Sequence, residues 1–167
     1  GRRGLSVNFS RIYDFRPGYG YAGVPDPWRA VNAPEDDGVF LVSLETGESR
    51  LIADYARIRR AFPQSPYSDG RLLVNHITFN PSGTRFLFLL RNFPAPGERG
   101  WKTQLLVSDL DGRLTKLTDY CVNSHYHWKN DDEILIVSSA ETGENRFSLW
   151  LMNAETGERT RLPEPNP

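Results

Sequence analysis

"NHITFNPSGTRFLFLLR" (75–91) and "SHYHWKNDDEILIVSS" (124–139) decide how this chain is read. Each runs through a histidine, alternating residues, an aromatic, a polar turn and an apolar strand, so that His76 matches His125, Phe79 matches Trp128 and RFLFLL matches EILIVS. Pro81 pre-sets one position of the first turn and Gly83 closes it, while Asn130, Asp131 and Asp132 shape the second through side-chain hydrogen bonds. The two histidines stand 49 residues apart. A second kind of segment follows each: "TQLLVSDLDGRLTKLT" (103–118) and "FSLWLMNAETGERTRLP" (147–163), with a third copy at "GVFLVSLETGESRLI" (38–52). All three read as strand, tight turn, strand, with Gly47, Gly112 and Gly157 expected at the positive φ that such turns require.

Short strands, turn chemistry and a period of about 40–50 residues predict an all-β chain, a β-propeller built from four-stranded antiparallel blades. A lone blade cannot bury both of its faces and so needs neighbours. Residues 75–118 and 119–167 are expected to be whole blades, and 1–52 an embellished one with "LSVNFSRIY" (5–13) as its inner strand. Residues 53–74 form an inter-blade insertion whose segment "ADYARIRRAF" (53–62) is the one helical candidate. Phe79, Phe88, Trp128 and Trp150 are the expected inter-blade core. About three blades make a partial ring, since single rings typically close with about four to eight. Two copies, three blades each, would complete one as a homodimer.

The chain has 167 residues, 38% of them hydrophobic and 25% charged, the balance of a folded domain. Its 20 Lys and Arg against 21 Asp and Glu leave a net charge of -1, which argues against nucleic acid or an anionic membrane as partner. Cys121 is its single cysteine, so no internal disulfide forms and thiolate-rich metal sites are excluded. No apolar run reaches the roughly 18–20 residues that span a bilayer. The expectation is a soluble protein, cytoplasmic or periplasmic, and the beginning "GRRGLSVNFSRIY" reads as the start of an excised piece.

The stretch "ITFNPSGTRFLFLLR" resembles the repeat of bacterial propellers of the TolB, tricorn-protease and prolyl-oligopeptidase type. Val74 to Ser139 looks closer to the propeller of oligogalacturonate lyases, with "SHYHW" standing where that family carries its own histidine–aromatic stretch. The resemblance implies β-elimination on acidic oligosaccharides, with manganese held by histidines and a glutamine and an arginine as base. It places His125 among the metal ligands. The chain departs from the family elsewhere: position 122 is valine where a glutamine is needed, "LLRN" (89–92) replaces a family motif, and no residue takes the place of the base.

Three groups of residues carry candidate chemistry. His125 and His127 lie two apart, which on a regular strand puts both on one face. With His76 at the equivalent place they form a candidate transition-metal site. The same imidazoles equally serve as hydrogen-bonding parts of the repeat, and without a carboxylate or a third fixed ligand that role takes precedence. The loop "FRPGYGYAGVPDPW" (15–28) offers Arg16, Tyr19, Tyr21 and Trp28, rings to stack on sugar faces and a guanidinium to grip a carboxylate. "RNFPAPGERGWKT" (91–103) adds Arg91, Arg99, Trp101 and Lys102. No phosphate loop and no "GxSxG" elbow is present, and "NFS" (8–10), a match to a glycosylation acceptor, falls in an expected strand. The function expected is a binding module without a cofactor, its loops presented to a saccharide or protein. The alternative is a manganese-dependent lyase of acidic oligosaccharides.

Overall fold

The computed structural model describes residues 2–63, 69–94, 100–139 and 147–163. Within them the chain forms three antiparallel sheets, each a simple meander. The first is β1 (Arg3–Val7), β2 (Gly38–Ser43) and β3 (Ser49–Asp54); the second is β4 (Leu72–Phe79), β5 (Arg85–Asn92), β6 (Thr103–Asp109) and β7 (Leu114–Lys116). The third is β8 (Asn123–Trp128), β9 (Glu133–Ser138), β10 (Ser148–Asn153) and β11 (Arg159–Arg161). Two helices join them, α1 (Phe9–Phe15) and α2 (Tyr55–Ala61).

The sheets stack face to face. Along β5, Phe86, Phe88 and Leu90 enter a core shared with Val39, Ile52 and Ala53 of the first sheet and Tyr55 and Ile58 of α2. Leu87 and Leu89 point the other way, with Leu105 and Val107, against Trp128, Ile134, Ile136, Trp150 and Met152 of the third sheet. Period-two alternation places successive residues on opposite faces, and because both faces are covered the strand reads as a continuous apolar run. On β9 only one face is covered among the described residues: Ile134 and Ile136 are buried, Leu135 and Val137 half-buried.

The hairpin turns dock in register. Gly47, Gly112 and Gly157 all take positive φ, at 76°, 82° and 72°. A Cβ on Gly112 would lie 2.5 Å from the Ile52 carbonyl oxygen of β3, and one on Gly157 would lie 3.6 Å from that of Lys116 in β7. Each outer turn of the second and third sheets therefore rests on the outermost strand of the sheet before it.

Four expectations need correction. The segment 5–13 is not one strand: β1 ends at Val7 and α1 begins at Phe9, because the Asn8 side chain accepts from the backbone N–H groups of Ser10 and Arg11 and caps a helix. That cap outweighs the apolar alternation, so "NFS" stands at a helix start. The 53–62 segment is helical as expected, capped by Asp54 accepting from the Arg57 N–H at 2.6 Å, but it is the second helix of the chain. The first sheet has three strands where four were expected, α1 following directly on β1. Finally, Leu72–Val74, assigned to the insertion, are the buried beginning of β4.

Candidate functional site

The loop from Arg16 to Asp37 is held down from inside by α1. Arg11 is fully buried and donates from Nε to the Leu72 carbonyl at 2.6 Å, from Nη1 to Asp26 Oδ2 at 3.2 Å and the Trp28 carbonyl at 3.3 Å, and from Nη2 to the Val31 and Asn32 carbonyls at 3.1 and 3.0 Å. Its guanidinium also lies over the Tyr55 ring, 4.9 Å from the centroid. Asn8, besides capping α1, donates to Asp26 and Asp37 at 2.8 and 3.0 Å, and Arg71 pairs with both Asp14 and Asp26. Burial alone would raise the Asp26 pKa, but the Trp28 N–H, Arg71, Asn8 and Arg11 together hold it below the usual carboxylate range. At Asp37 burial wins and the pKa is raised. The sequence reading missed this network, because a buried arginine on a short helix looks the same in sequence as an exposed one.

Gly20 clamps the loop to α1. At φ 76° it lies so close to the helix that a Cβ there would come 2.1 Å from the Phe9 carbonyl oxygen, and the Tyr21 N–H donates to that same oxygen at 3.2 Å. Tyr19 and Tyr21 are consequently displayed on the surface, 55% and 60% exposed.

From this base, residues of the two loops converge. Arg16 lies over Tyr19 at 4.5 Å and over Trp101 at 6.0 Å, and Arg91 lies over the same tryptophan at 5.3 Å. Phe15 meets Trp101 edge-on at 5.0 Å and Phe93 at 4.9 Å, and Arg71 covers Phe93 at 4.3 Å. The buried network is thus continuous with the surface cluster. Arg16, Tyr19, Arg91 and Trp101 come together. Tyr21 stacks on Phe9 instead, and Trp28 sits half-buried in the turn that Asp26 closes by accepting from its N–H. Arg99 lies outside the described residues.

Arg91 belongs to this cluster although it is the penultimate residue of β5, paired with Leu73 and Thr103. It is 8% exposed, and its Nε, shielded from solvent, has no hydrogen-bond partner. No carboxylate pairs with Arg91 or Arg16 among the described residues. Burial, then the charge of Arg16, push the Arg91 pKa down to about 10, so the group stays protonated at neutral pH.

The histidines occupy a feature that period-two reasoning cannot see. His76 and His125 both take left-handed backbone conformations, φ 51° and 50°, at register shifts in β4 and β8. These are β-bulges, each inserting one extra residue. His125 is the extra residue of its bulge, and it and His127 are both exposed. Tyr126 and Trp128 then face the second sheet: the Tyr126 hydroxyl bonds the His76 carbonyl and Thr78 Oγ1, and Trp128 Nε1 donates to the Thr78 carbonyl at 3.2 Å. His127 pairs with Leu135 on the other face. His125 Nδ1 lies 2.7 Å from Ser124 Oγ. Desolvation, then the positive charges of Arg91 and His125, hold His76 below its usual pKa. The Tyr126 hydroxyl's bond to the His76 carbonyl brings the two bulges together, and no group of three or more His, Cys, Asp or Glu side chains converges among the described residues.

Two shallow hollows lie elsewhere, one at the first sheet lined by Arg3, Leu41 and Arg50, the other on the outward face of the third sheet lined by Glu133, Leu151 and Arg159, and neither includes a residue of this cluster. No protein-family model matches the chain, and no curated protein or solved structure matches it.

Proposed function

We propose that the chain is a β-propeller segment acting as a binding module, its ligand a saccharide lying across Trp101 and Tyr19. The observation that carries this reading is the convergence of Arg16 and Arg91 on one tryptophan that is 37% exposed, beside an exposed tyrosine. Flat aromatic faces flanked by guanidinium donors suit sugar rings, whose C–H faces stack while their hydroxyls accept hydrogen bonds. The test is binding to an array of neutral and acidic oligosaccharides. Trp101→Ala should lower the affinity for whichever glycan binds by about tenfold or more, with melting temperature nearly unchanged. Binding indifferent to Trp101 and Tyr19 refutes the placement, and binding to proteins alone refutes the ligand class.

The propeller architecture is supported by the repeated docking of Gly112 and Gly157 on the preceding sheet and by Leu135, Val137, Leu149 and Leu151, apolar residues left half-buried on the outward face of the third sheet. A second copy completing the ring would cover such a face. The mass in solution tests this: a dimer agrees, a monomer at all concentrations does not.

A second reading, a manganese-dependent lyase of acidic oligosaccharides, is favoured by one observation, the bond from the Tyr126 hydroxyl, next to His125, to the His76 carbonyl, which brings the two histidine bulges together. Stoichiometric manganese lost on His125→Ala would support it.

A further inference from the structure

We propose that Arg91, with Arg16, His76 and His125 around it, forms a seat for an oxyanion carried by the ligand: a carboxylate, a sulfate ester or a phosphate. This deepens the binding-module reading and rests on it. Three independent observations lead there. First, Arg91 is over nine-tenths buried on a strand, with a shielded Nε that donates to nothing. A buried guanidinium ordinarily has its donors occupied, as Arg11 does here with five bonds. Arg91 has only the face of Trp101 on one side. A planar fork with free donors beside an exposed ring matches the two oxygens of a carboxylate or of a sulfate or phosphate group.

Second, the local field is positive and unbalanced. The chain as a whole is nearly neutral, with a net charge of -1, and its other buried arginine is matched by Asp26. Arg91 and Arg16 lie over the same Trp101 ring, the Arg91 charge also acts on His76, and no acidic side chain pairs with Arg91, Arg16 or His76 among the described residues. Such a field repels a metal cation and attracts an anion.

Third, His76 and His125 are held in a backbone conformation that costs energy for a residue with a Cβ, and they are held so twice, at matching bulges. The bulge turns the His76 carbonyl to the Tyr126 hydroxyl and leaves both histidines exposed, with the Arg91 charge acting on His76. The imidazoles are then second donors to an oxyanion whose principal contact is Arg91.

The experiment uses the whole chain. Sodium sulfate, phosphate and acetate are titrated separately at constant ionic strength, with the His76 and His125 imidazole signals and the Arg91 Nε–H followed by NMR. The expected result is saturable movement of all three signals together and a rise in the His76 pKa, because a bound anion offsets the charge of Arg91. The salt that binds tightest identifies the oxyanion class. Arg91→Gln should weaken binding on the order of thirtyfold or more. Arg16→Gln, at an exposed site with no hydrogen bond to lose, should weaken it severalfold, and Arg91→Lys should recover only part, since it keeps the charge without the fork. Absence of saturable movement with all three salts overturns the seat, as does movement that persists in both Arg91→Gln and Arg16→Gln, or selective broadening of the two histidines by manganese chloride. Neutral-oligosaccharide binding that needs Trp101 but ignores both arginines would remove the seat while leaving the module in place.

Discussion

Replacing Arg11 with methionine tests whether the loop from Arg16 to Asp37 is held from beneath. Methionine keeps the apolar stem of arginine and removes the guanidinium with its charge and every donor. This one guanidinium donates five hydrogen bonds, four of them to the backbone carbonyls of Leu72, Trp28, Val31 and Asn32. The fifth is the pair with Asp26, both side chains fully buried. In the variant Asp26 keeps Arg71, Asn8 and the Trp28 N–H, so the carboxylate is not left bare. Removing one partner of a buried ion pair costs about 3–5 kcal/mol. At roughly 2–4 °C per kcal/mol for a chain of this size, the melting midpoint should fall by about 6–20 °C. Urea denaturation gives the free energy directly, and Arg11→Lys should lose most of the same amount because a point charge cannot serve acceptors arranged around a fork. The double variant with Asp26→Asn should be less destabilised than the sum of the singles, since the two groups share one pair. A loss below about 1 kcal/mol, or strict additivity with Asp26→Asn, would refute the claim that this network holds the loop.

The other expected outcomes follow from the same geometry. Trp128→Ala removes a buried ring and its bond to the Thr78 carbonyl, and should cost about 3–5 kcal/mol in a urea melt; a near-neutral effect would contradict its placement between sheets. Tyr126→Phe deletes the hydroxyl that bonds His76 and Thr78 and should cost about 1 kcal/mol, with altered amide shifts confined to β4 and β8 by NMR. Gly20→Ala drives a Cβ into the Phe9 carbonyl, so it should weaken glycan binding by displacing Tyr19, and binding unchanged in this variant would show that the clamp does not place Tyr19. For pH, the Asp26 pKa is lowered on folding, so its stabilisation is fully present above the unfolded value of about 3.9 and is lost as pH falls through the folded one. The stability gap between the native chain and Asp26→Asn should therefore close on acidification. A gap that widens instead would show that Asp26 is not held ionised.

The repeat was readable in the sequence because it is written in residues with one dominant job. Glycines at Gly47, Gly112 and Gly157 mark turns that only a positive φ can close, and the continuous apolar run of β5 reports a strand covered on both sides. The loop cluster was half readable for the same reason: Arg16, Tyr19, Arg91 and Trp101 stood out by residue type, but nothing in one dimension distinguishes Tyr19, which joins Arg16, from Tyr21, which turns back onto Phe9. What failed did so where two local rules competed. Asn8 can stand in a strand or cap a helix, and the outcome rests on its bonds to Asp26 and Asp37, which lie far along the chain. The histidines show what a count of residues leaves out. Counting by twos assumes a regular ladder, and a bulge is one residue that breaks the count without changing composition. The aligned "NHI" and "SHY" stretches did contain the signal, for two histidines in the same slot of two repeats take the same left-handed backbone conformation, φ 51° and 50°. The bulges give His76 and His125 the place in the repeat that the matched stretches suggested, with the His76 carbonyl bonded to the Tyr126 hydroxyl of the next sheet.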